Sequence, residues 1–189
     1  MDPRSFWKII DEFVSEDKLD AEYFYAEFAE RLAEMDSHEL IEFATAQREA
    51  LYTAVTWDMM GAAQLVTGGV TEEGFEAFCG WLMAQGSDVF RQAVSTPDSL
   101  ADYLRNYEGG DAFEDDDILS APMSAFEEKA GGLDDFTLHV SRPLEPEGEQ
   151  WDLEEPGEQS ARLPMLYAYF MADDAQDEDA EEEGEDDYV

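Results

Sequence analysis

The chain has 189 residues, 44% of them apolar and 13% aromatic, enough for one domain with a buried core and some extension. Forty-nine acidic residues face ten basic ones, for a formal charge of −39, which disfavours phosphate backbones and anionic membranes as partners. No apolar stretch is long enough to span a bilayer, and a single cysteine, Cys79, rules out an intrachain disulfide.

Asp2-Pro3 reads as a helix cap followed by proline at the first helical position. Phe6, Ile9, Ile10, Phe13 and Val14 then recur at helical spacing. A second helix is expected from near Asp20, with Phe24, Phe28, Leu32 and Met35 inward. Ser37 is expected to cap a third, carrying Leu40, Phe43, Ala44, Gln47, Leu51 and Val55. A short apolar helix follows from Trp57 to about Val66, ended by Gly68-Gly69. Thr71 caps a fifth helix, with Glu72 and Glu73 in the first turn, where the helix dipole favours negative charge. Phe75, Phe78, Cys79, Leu82 and Met83 line its inner face. Gly86 stops it and Ser87 opens another helix with Val89, Phe90 and Val94.

Pro97-Asp98-Ser99 forms a turn or helix start before Leu100 and Leu104. The glycine-broken acidic run from Glu108 to Asp117 is expected to be a loop. Ile118, Leu119, Met123 and Phe126 indicate one more helix, closed by Gly131-Gly132. Residues 133–158 are rich in proline, glycine and glutamate and are expected to be mostly irregular, with FTLHV (136–140) the one run compatible with a lone strand. Leu163 to Met171 is expected to dock as a final short helix. Residues 173–189 hold eleven acids and no base, a composition that predicts disorder. The fold class expected is mainly α: a compact multi-helix bundle with an irregular acidic C-terminal extension. The division expected is a helical domain over 1–132, an irregular extension with a short docking helix over 133–172, and an acidic tail over 173–189. Trp7, Phe28, Phe43, Phe78 and Trp81 are expected in or near the core.

No catalytic constellation is legible. The two histidines, His38 and His139, stand apart from any nucleophile, and Cys79 lies among apolar neighbours, where burial suppresses thiolate formation. No Cys/His cluster suits zinc. The acidic runs lack the glycine and terminal glutamate of a calcium loop, and Gly68-Gly69 lacks the lysine of a phosphate loop. No cofactor, metal or catalytic residue is therefore assigned. Asp58, beside Trp57 in an apolar segment, is the acid of most interest. It is expected to be partly buried, or else to serve as a cap or pair with Arg48 or Arg91. Crowding of negative charge is expected to raise carboxyl pKa values on average.

The segment WDMMGAAQLVTGGVTEEGFEAFCGWLM (57–83), with FWKIIDEF (6–13), STPDSLA (95–101) and AFEEKAGG (125–132), resembles the bacterial domain-of-unknown-function family numbered 4240. The resemblance covers about residues 6–132 and implies a helical bacterial domain without an assigned activity. Thr71-Glu72-Glu73 stands where the family has serine and two aspartates, Cys79 where an arginine is expected, and Gln64 where a tyrosine is expected. The functional expectation is a cytoplasmic, non-enzymatic interaction or regulatory module. Its partner would be a basic protein, without direct nucleic-acid or membrane binding. The candidate interaction surface is Trp57, Asp58, Glu72 and Glu73. Two alternatives remain open: a hydrolase or metal-assisted enzyme using Asp58, Glu72 or Glu73, and a nucleic-acid mimic.

Overall fold

Helices begin where a side chain meets their first unpaired backbone N–H groups. In the computed structural model the described residues are 1–14, 21–107, 117–139 and 143–172. Of the expected loop over 108–117, residues 108–116 lie outside them, while Asp117 opens a helix; the acidic tail over 173–189 also lies outside. Asp2 caps α1 (Pro3–Asp11) by accepting from the amides of Arg4 and Ser5. After α2 (Ala21–Ala33), the cap of α3 (Ser37–Ala54) is Asp36, not the expected Ser37. Asp36 accepts from the amides of His38 and Glu39, and the Glu39 carboxylate accepts from the Asp36 amide. That reciprocal pair satisfies more N–H groups than a lone serine hydroxyl can. Thr56 caps α4 (Trp57–Thr67), and Thr71 caps α5 (Glu72–Ala84) as expected. Gly68 closes α4 at φ 73°, in the left-handed region that favours glycine.

Two later helices take their starts from distant carboxylates. α6 (Ser87–Ser95) follows Gly86 at φ 95°, which has no side chain to cap with. Asp11, at the end of α1, supplies the cap: it accepts from the Ser87 amide and the Ser87 hydroxyl, both at 2.7 Å. A 3-10 turn, Pro97–Ser99, leads into α7 (Leu100–Leu104). α8 (Asp117–Ala130) and α9 (Pro156–Arg162) follow, and residues 164–172 are helical. There Asp98 accepts from the amides of Met165 and Leu166, both at 2.9 Å.

The core gathers where α8 lies against α2, α3 and α5, and α1 against α3 and α6. Trp7, Phe28, Phe43, Phe78 and Trp81 are all buried in it. The Phe43 ring lies 5.1 Å from that of Phe6 and 5.9 Å from that of Phe28, centroid to centroid. Trp151, Leu163 and Leu166 belong to the same apolar cluster. Among the described residues the regular structure is helical, apart from one isolated bridge between Thr56 and Glu147. Among those residues no helix is long and apolar enough to cross a membrane.

Several expectations are corrected. α1 ends at Asp11, so Val14 falls outside it and is exposed, while Phe13 still packs edge-on against Phe28. Met123 is exposed because the inward face of α8 runs through Ile118, Pro122 and Phe126, four residues apart; Met123 sits one position off it. Within FTLHV, residues 136–139 form no strand, in keeping with the irregular reading of that stretch, and Phe136 packs its ring on Phe126. α9 arises inside the stretch expected to be irregular, because Glu155 caps it and Pro156 takes its first position. Leu163 closes α9 and does not open the last helix.

Pro122 sits inside α8 and cannot donate the hydrogen bond that the Ile118 carbonyl would otherwise accept. The Gln47 side-chain amide takes that place, donating to the Ile118 carbonyl at 2.7 Å in a buried position. Gln47→Leu should therefore lower stability by about 1–2 kcal/mol, the cost of a buried acceptor without a donor. Urea unfolding followed by circular dichroism checks this; no change would mean that water reaches the Ile118 carbonyl.

Candidate functional site

The break between α3 and α4 leaves backbone groups that no helix uses, and residues 143–151 meet them there. The Trp57 amide donates to the Glu147 carbonyl at 3.0 Å, and the Glu147 amide donates to the Val55 carbonyl at 3.0 Å. Trp57 is half-buried at the first position of α4. One residue on, Asp58 accepts from the Trp151 indole N–H at 3.1 Å and lies 3.5 Å from the Arg162 guanidinium. Its side chain is 50% exposed, so the expected burial is not found. Nor is the expected pairing with Arg48 or Arg91. Arg48 bonds Glu76 at 2.9 Å and Arg91 bonds Asp88 at 3.3 Å, each held by an acid nearer to it in the fold.

Arg162 is the hub of this corner. Besides Asp58 it meets Glu149 at 2.9 Å and Glu158 at 3.4 Å, and its guanidinium lies 5.5 Å from the centroid of the Trp151 ring. The hydrogen bond to Glu149, the largest influence, raises its pKa further, so it remains a fixed cation. Trp151 is seated on Gly61: a Cβ there would stand 2.2 Å from an indole ring carbon. Glycine is required here because α4 must let a flat ring approach its backbone.

Glu72 and Glu73 occupy the first turn of α5 and face solvent. The nine residues of α4 from Met59 to Thr67 lie between them and Asp58, about 13 Å of helix axis at 1.5 Å per residue. The four candidate residues thus form two places: Trp57 with Asp58, and Glu72 with Glu73. That separation exceeds the spacing at which two carboxylates share one scissile bond.

Cys79 is fully buried in α5, and burial pushes its thiol upward, away from the nucleophilic thiolate. His38 opens α3, where its amide donates to Asp36, and the His139 amide donates to the Thr45 hydroxyl. Tyr103 donates to Gln85 at 2.7 Å, and burial pushes its hydroxyl from 10.0 up to about 12. Gln64, where a tyrosine was expected, accepts from the Val70 amide at 2.9 Å and closes the α4–α5 turn. Among the described residues no group of three or more His, Cys, Asp or Glu side chains could hold a metal ion. Among the described residues, the carboxyl groups that shift clearly, Asp2 and Glu42, move down and not up. Asp2 is lowered chiefly by the Ser5 hydroxyl, Glu42 by hydrogen bonding to the N-terminal ammonium at 2.7 Å. Local donors outweigh the net charge at both places.

Sequence reasoning missed Trp151 and Arg162, the partners of Asp58. The available signal was a lone tryptophan within the acidic, proline-rich stretch EPEGEQWDLEEPGEQ (145–159), where little else is apolar. A family model described as "Protein of unknown function (DUF4240)" matches residues 1–128. No curated protein and no solved structure matches the chain.

Proposed function

The chain belongs to the DUF4240 family of proteins of unknown function, and from that premise we propose that it is a non-enzymatic interaction or regulatory module whose partner carries a basic surface. The charge carries this reading. At −39 the molecule attracts cations over long range and repels nucleic acid and anionic membranes. Five arginines add little positive field of their own: Arg31, Arg48, Arg91, Arg105 and Arg162 all stand within ion-pair distance of acids on the same chain. A cytoplasmic setting is part of the same proposal, since a single thiol suits a reducing compartment.

Trp57, Asp58, Glu72 and Glu73 are the proposed interaction surface. Asp58 is engaged by Trp151 and Arg162, so the exposed pair Glu72 and Glu73 can be neutralised while those contacts stay in place. The test is capture from lysate at about 50 mM and about 300 mM sodium chloride, because charge attraction is screened within about 8–10 Å at ordinary ionic strength. The strongest retained basic protein is then purified and titrated. Captured proteins should be basic and released at the higher salt, and E72Q/E73Q should weaken the purified partner about threefold to tenfold. Equal binding by the variant would remove these two residues from the surface. Capture indifferent to salt, or turnover of a small molecule by the purified protein, would overturn the module reading.

A further inference from the structure

Among the described residues, the polar attachments of residues 143–172 to the rest of the chain are concentrated. The Glu147 backbone pairs with Val55 and Trp57, the Trp151 indole and Arg162 reach Asp58, and the amides of Met165 and Leu166 reach Asp98. All of these receiving groups lie between residues 55 and 98. The buried apolar side chains that the segment contributes are Trp151, Leu163 and Leu166, while α9 itself buries only Gln159. The other buried apolar side chains run from Phe6 to Phe126, and the family match ends at residue 128, before the segment starts.

The chemistry of the contact is that of a peptide on a preformed surface. One aromatic anchor fills a seat, the glycine face of α4 at Gly61. Its N–H reads a carboxylate, Asp58, and one backbone pairing fixes the register. Asp58 is half exposed and Asp98 lies near the surface, so water can replace what the segment donates if it leaves. The segment also carries seven acids and one base, Arg162, two of whose three acidic partners, Glu149 and Glu158, are its own. Like charge on both sides limits how tightly it can dock.

We infer that residues 143–172 are a detachable strap, a peptide-like ligand held in cis on a docking face formed by residues 55–98, able to leave while α1–α8 stay folded. Release uncovers the Gly61 seat and frees Asp58.

The test begins from the full chain carrying a protease site between His139 and Pro143, cut while folded. The cut chain should keep its helical circular dichroism, and the C-terminal piece should dissociate on dilution. A fluorescein-labelled peptide of residues 143–172 should then rebind, and its W151A form should bind about tenfold more weakly or worse. Collapse of the helical signal on cutting would overturn the inference, as would failure of the peptide to rebind, or equal binding by the W151A peptide. A second measurement needs no cut. In the intact chain the amides of Glu147 and Leu166 should exchange with deuterium about a hundredfold faster than that of Leu82, through opening smaller than global unfolding. Equal rates would show the segment to be integral to the core.

Discussion

Phe43→Ala should lower the free energy of unfolding by about 3–5 kcal/mol, the range for emptying an aromatic site in a packed core. Phe43 is fully buried on α3, with the rings of Phe6 from α1 and Phe28 from α2 against it. Its loss therefore opens a void shared by three helices. None of them can collapse into it alone, because each is held elsewhere: α1 by Asp11 on Ser87, α2 by Lys129 on the Ala33 carbonyl. Domains of this size are stable by only about 5–15 kcal/mol, so the variant should unfold at markedly lower urea, with an unchanged slope if the transition remains two-state. A loss below about 1 kcal/mol would mean that the three rings do not meet as described.

Gly61→Ala reverses an ordinary rule. In an exposed helix interior, exchanging glycine for alanine stabilises by about 1 kcal/mol. Here the added methyl would stand 2.2 Å from the Trp151 ring, a distance neither α4 nor a rigid indole can absorb. The expected net result is destabilisation of about 2–3 kcal/mol, toward the upper end of overpacking costs, with a red shift in tryptophan emission as Trp151 is pushed into water. Combining it with Trp151→Ala checks the assignment, since the two losses should be far from additive if they report one contact. Stabilisation by Gly61→Ala would mean that Trp151 is seated elsewhere.

Local signals made most of the helical body legible. Asp2-Pro3, Thr71 with its two glutamates, and Gly68-Gly69 act over three or four residues. The apolar spacing that placed Phe28, Phe43 and Phe78 inward is a property of each helix alone. What escaped was decided by groups far apart in the chain. The indole partner of Asp58 stands 93 residues away, beyond any local pattern, and the arginines expected beside it, Arg48 and Arg91, pair with other acids. α9 went unread because the proline and glycine that mark a turn in PGEQSAR also fit a helix start once Glu155 precedes them. The separation of Asp58 from Glu72 follows from the length of α4, whereas the four residues, all within the segment that carries the family resemblance, were expected to form one surface.

The borrowed caps bear on the order in which the chain folds. α6 starts only when Asp11 arrives from 76 residues upstream, and the last helix takes its cap from Asp98, 67 and 68 residues before the amides it serves. A cap supplied by the next residue assists nucleation from the first microsecond; one supplied across a long loop contributes only after that loop has closed. α3 and α5, which carry their own caps, can form early, whereas α6 and the 164–172 helix gain their starts late. Weakening Asp11 or Asp98 should accordingly speed unfolding and leave the folding rate nearly unchanged.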